Sequence, residues 1–63
     1  MITLREFLRL GWIVQRIKIS KGTDWRSCQK HEAEWFLPNE WLNSNVLSFS
    51  SDWDVFEIEI EEA

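Results

Sequence analysis

Residues 55–61 read Val-Phe-Glu-Ile-Glu-Ile-Glu, and apolar and acidic side chains alternate from Phe56 onward without a break. A period of two belongs to a β-strand with one buried and one wetted face. It assigns Phe56, Ile58 and Ile60 to a core and Glu57, Glu59 and Glu61 to solvent. A single strand is not stable in water, so this one requires paired neighbours and something apolar to cover its inner face.

The neighbours are readable in part. Ile13 to Ser20 alternates in the same way, with Ile13, Gln15, Ile17 and Ile19 on the expected inner side. Ser20-Lys21-Gly22-Thr23-Asp24 supplies a turn, since Gly22 accepts positive φ. A second strand is expected over Trp25 to Phe36, irregular near Ser27 to Gln29. Leu37 to Leu42 reads as one helical turn, with Pro38 at its start and Trp41 and Leu42 directed inward. A third strand is expected over Val46 to Ser50, with Leu47 and Phe49 inward. A turn at Ser51 to Asp54 leads into the final strand, Val55 to Glu61. At the other end, Thr3-Leu4-Arg5-Glu6 has the spacing of a capping box, and Ile2 and Phe7 that of a hydrophobic staple. A helix over residues 3–10 follows, stopped by Gly11.

These elements define an α+β chain of one small domain, residues 1–63. A short N-terminal helix packs on an antiparallel sheet of about four strands, with one helical turn between two hairpins. A domain this small buries only roughly 60% of its unfolded surface. Five Trp and four Phe in 63 residues offset that deficit, because each buried aromatic removes about 150–250 Å² from water. The lone Cys28 excludes an internal disulfide and fits a reducing compartment. Arg5, Glu6 and Arg9 interrupt the apolar run that a signal peptide needs. A soluble, cytoplasmic protein is expected.

Charge is divided along the chain. Residues 1–30 hold all seven Lys and Arg against Glu6 and Asp24, a surplus of +5; residues 31–63 hold nine acids and no Lys or Arg, giving −9 and the net −4 of the whole. Strand order decides what this division means. The order 2-1-4-3 would bring Arg16 and Lys18 near Glu57 and Glu59, where opposite charges contribute roughly 0.2–1 kcal/mol per pair. A meander, 1-2-3-4, would leave the two signs apart.

The segments TLREFL and LPNEWLNSNVLSFSSDWDVFEIEI resemble those of short α+β proteins carried by phages and other mobile elements of Gram-positive bacteria. The resemblance covers roughly half the chain and implies no established activity.

Enzymatic chemistry finds little to use. Cys28 and His31 are the only thiol and imidazole, and on a strand their spacing places them on opposite faces. No third orienting group is evident. Four zinc ligands of the Cys/His type are absent. Asp52-Trp53-Asp54 has the opening spacing of a calcium loop but lacks glycine at the sixth position. With two glycines in the chain there is no phosphate-binding loop. The sequence therefore implies a non-enzymatic module with no cofactor and no metal. Its expected partner is a protein, such as a basic nucleic-acid enzyme, met through Trp53, Asp52, Asp54, Glu57, Glu59, Glu61, Trp12 and Trp25. Acids in a row can imitate phosphates, which fits an inhibitor of a host nuclease or defence complex, of the anti-CRISPR or anti-restriction type. The bland alternative is a solvated strand face. Two other classes are a nucleic-acid-binding accessory protein that uses the basic half and a homodimer closed by tryptophans.

Overall fold

The computed structural model of the chain describes residues 1–11, 13 and 16–62. Its elements are α1 (Leu4–Leu8), β1 (Arg16–Lys21), β2 (Asp24–Cys28), a 3-10 turn (Lys30–Glu32), α2 (Ala33–Phe36), α3 (Asn39–Leu42), β3 (Val46–Ser51) and β4 (Val55–Ile60). Among the described residues, no helix is long and apolar enough to cross a membrane.

The helix start is built as its sequence dictates. The Glu6 N–H donates to the Thr3 hydroxyl at 3.3 Å, and the Thr3 N–H donates to the Glu6 carboxylate at 3.0 Å. This reciprocal pair satisfies main-chain donors that the first turn leaves open. It also holds the Glu6 carboxyl below its ordinary pKa, because the Thr3 N–H favours the charged form. Gly11, at φ 85°, lies past the helix end, a conformation that a side chain would strain. The helix itself stops at Leu8, earlier than the expected residue 10, and Leu10 is exposed.

The four strands form one sheet in the order β2-β1-β4-β3. Both hairpins are antiparallel, but β1 and β4 run parallel. The sheet is therefore mixed, which corrects the all-antiparallel expectation. The reason lies in the connection. Seventeen residues, 29–45, separate β2 from β3, and a crossover needs a dozen or more. A short loop would have forced the second hairpin to enter the sheet the other way up.

The second correction falls on that connection. The strand expected over Trp25 to Phe36 ends at Cys28 and gives way to the 3-10 turn and α2. The Gln29 N–H donates to the Glu32 carboxylate at 3.0 Å, a local bond that starts a helical turn instead of continuing a ladder. Ala33 and Leu37, four apart, are both buried, the spacing of one helical face.

Ile17, Ile19, Phe56, Ile58 and Ile60 from the sheet share one buried cluster with Leu4, Phe7 and Leu8 of α1, Ala33 of α2, and Trp41 and Leu42 of α3. Ile13 joins it, although β1 begins only at Arg16 among the described residues. Gln15, expected on the inner side, lies outside the described residues.

Leu47 is corrected as well, while Phe49 faces inward as expected but is not enclosed. They are 52% and 55% exposed. Leu47 sits where the β3–β4 register slips, between Val46 and Ser48. Phe49 touches the core through its ring, stacked on Phe56 at 5.7 Å and tilted to Phe7 at 5.1 Å, but it lies on an outer strand that nothing flanks on both sides.

Candidate interaction surface

The β3–β4 hairpin closes with a two-residue loop, Trp53-Asp54. The Asp52 N–H donates to the Val55 carbonyl at 2.9 Å. The Asp52 carboxylate accepts from the Trp53 N–H at 2.8 Å. An Asp side chain that bonds the following main chain makes a turn without glycine. The bond leaves the Trp53 indole pointing off the structure, 93% exposed, between the exposed Asp52 and Asp54.

The sheet's outer face lies beyond this tip. Register places Lys18 beside Glu57 and Ser20 beside Glu59 on the β1–β4 seam, and Ser48 and Ser50 opposite the same two acids on β3. The Lys18 ammonium is 3.9 Å from the Glu57 carboxylate. It also lies 5.0 Å from the ring of Trp25, which is 58% exposed. The Ser48 hydroxyl donates to Glu59 at 3.1 Å. This face is thus not a single-sign array: its two acids are interleaved with a lysine and serines. Glu61 departs from expectation. It lies past the end of β4, half-buried, and accepts from the Asn45 amide at 3.2 Å.

The basic half is largely committed inside the molecule. Arg5 donates to Asn43 and Asn39. Arg9 donates to both Glu34 carboxylate oxygens, at 2.8 and 3.2 Å. That pair raises the Arg9 pKa and lowers that of Glu34, each by hydrogen bonding to the charged partner. Arg16 donates to the Ser27 hydroxyl. Lys21 and Arg26 lie over the buried Trp41 ring, at 5.8 and 5.2 Å from its centre. Lys18 is engaged as described. Among the described residues, only the Lys30 ammonium makes no such contact. It stands at the rim of a hollow of about 570 Å³ lined by Leu8, Arg9, Ile13, Gln29, His31 and Glu34.

Of the tryptophans picked from the sequence, Trp53 and Trp25 are exposed and far along the chain from each other, while Trp12 lies outside the described residues. Trp35, 73% exposed on α2, was not picked. Reading residues 25–36 as a strand set it in line with Trp25 and Ala33 and gave it no role of its own. The helical spacing of Ala33 and Leu37 was the available signal. Cys28 is buried and His31 is exposed on the 3-10 turn. Burial is the main cause that pushes the Cys28 thiol pKa up, which favours the inert protonated form. No group of three or more His, Cys, Asp or Glu able to hold a metal exists among the described residues. No family model, curated protein or solved structure matches the chain.

Proposed function

We propose that the chain is a small, non-enzymatic protein-binding module that docks through the tip of its second hairpin. The observation that carries this reading is Trp53, 93% exposed between two carboxylates. An indole left in water by a domain with few large side chains to spare is a poor use of apolar area for folding. Tryptophan is also enriched among interface hot spots. Asp52 and Asp54 beside it, with Glu57 and Glu59 following on the same hairpin, favour a basic partner. The fullest version is an inhibitor of a host nuclease or defence complex, seated on a surface that normally holds phosphates. The partner-binding residues are then Trp53, Asp52 and Asp54 at the tip, supported by Glu57 and Glu59. Direct binding of nucleic acid by the basic half is the weaker alternative, because six of its seven cations already have partners within the molecule.

Affinity capture from host lysate at two salt concentrations tests this reading, followed by rate measurements on the captured protein. Reversal of Glu57 and Glu59 to Lys slows association, and the loss shrinks at high salt. Capture of nucleic acid alone, or rates unchanged by both this variant and Trp53→Ala, contradicts the reading.

A further inference from the structure

The chain carries both halves of one contact. The hairpin tip is an exposed indole followed by Asp54, whose carboxylate makes no hydrogen bond or ion pair among the described residues. The hollow beside α1 is lined by Leu8 and Ile13, each almost fully buried, and by the polar side chains of Arg9, Gln29, Lys30, His31 and Glu34. Glu34, the single acid of that lining, is already neutralised by Arg9. Lys30 is the cation left unpaired among the described residues. An indole beside a carboxylate and a hollow beside an unpaired ammonium match in charge, and the hollow is within the usual range for a bound organic group.

Tip and hollow also lie at the same end of the molecule. Because β1 and β4 run parallel, Arg16 pairs with Val55 at their common start. Trp53 precedes Val55 by two residues and so lies within about 7 Å of it; Ile13 precedes Arg16 by three and lies within about 11 Å. Yet Trp53 is not seated in its own chain's hollow, being 93% exposed. A tip and a receptor at one pole suit a two-fold contact in which each copy gives and receives, and such a contact closes on itself.

We propose that two copies of the chain form a closed dimer by exchanging hairpin tips, Trp53 of each seated in the hollow of the other while Asp54 pairs with Lys30. The proposal rests on the reading of the tip as the binding element and names a second copy as an occupant for it. Such a dimer also holds the tip out of reach of any other basic partner, so the two contacts compete.

Sedimentation from low micromolar to submillimolar concentration tests the proposal, with circular dichroism confirming that each variant is folded. The mass rises from 7.6 kDa toward twice that value and no further. Trp53→Ala weakens the dimer about thirtyfold or more, as loss of a hot spot does. Asp54→Lys and Lys30→Glu each weaken it, and the two together in one chain restore it, which general destabilisation does not do. A monomeric mass at every concentration overturns the dimer, as does dimerisation indifferent to Trp53→Ala. A monomer whose binding to a captured protein still depends on Trp53 overturns the dimer and leaves the tip reading standing.

Discussion

The two central strands and the two outer strands of the sheet are built differently. β1 and β4 bury Ile17, Ile19, Phe56, Ile58 and Ile60, each at most 1% exposed. Of the outer strands, β2 buries Cys28 alone and β3 buries no residue. A central strand is flanked on both sides and roofed by the helices, so every inward residue is enclosed. An outer strand has one open flank, and even a correctly directed side chain such as Phe49 remains half wet. Stability therefore resides in the middle of the sheet. The hairpin tip and the outer strands are left to do something else.

Substitutions can break this comparison. The largest effect is expected at Phe7 and Ile58, where truncation to Ala costs about 2–5 kcal/mol because each leaves a cavity between helix and sheet. Phe49→Ala, on the outer strand, should cost clearly less, about 1–2 kcal/mol, since half of its surface is never removed from water. Urea denaturation of the three variants measures both values. Equal losses at Ile58 and Phe49 would erase the distinction between centre and edge.

The helix cap comes next. Thr3→Ala should cost about 0.5–2 kcal/mol and Thr3→Ser almost nothing, because the hydroxyl that accepts from Glu6 is kept. Thermal melts of both variants check this, and equal losses would remove Thr3 from the cap.

A smaller effect is expected where the signs meet on the seam. Glu57→Lys sets a lysine beside Lys18 and should cost a few tenths of a kcal/mol to about 1 kcal/mol, with Lys18→Glu in the same chain restoring the loss. Ser50→Lys, which sets a lysine opposite Glu57 from the outer strand, should instead raise stability by a few tenths of a kcal/mol in the same melts.

The smallest effect is an acid one. Glu6 and Glu34 have folded pKa values below the ordinary 4.5, from the Thr3 N–H and from Arg9 respectively. A lowered folded pKa contributes stability above the unfolded value, and that stability is lost as pH falls through the folded one. The melting temperature should therefore be level near neutrality and decline below about pH 4.5. Glu34→Gln should flatten part of the decline.

The same contrast between centre and edge governs what the sequence reveals. Thr3 and Glu6 are three residues apart and their bond is local, so the cap was legible. The inner residues of β4 were legible because a strand enclosed on both flanks must alternate strictly. Trp41 and Leu42 were legible from Pro38, which marks the start of their turn. Residues 29–36 were misread because the alternation of Trp25, Ala33 and Trp35 looks like a strand, whereas Glu32 caps Gln29 and starts a helix. The parallel pairing of β1 with β4 leaves no trace in either strand, since alternation records which face is buried and not which way the chain runs. At the interaction surface, Trp53 was legible as the tip of a tight turn. Lys30 and the hollow beneath it were not, because they depend on a connection folded as a helix. Nor could charge counting reveal that six of the seven cations have contacts within the molecule.

The account holds that the tip is dispensable for folding and required for binding, and Trp53→Ala on one preparation tests both halves together. The decisive quantity is the dissociation rate of the variant from the captured partner protein, read beside its melting temperature. An unchanged melt with dissociation faster by about tenfold or more is the predicted result. Unchanged dissociation, or a melt lowered as far as that of Ile58→Ala, would contradict it.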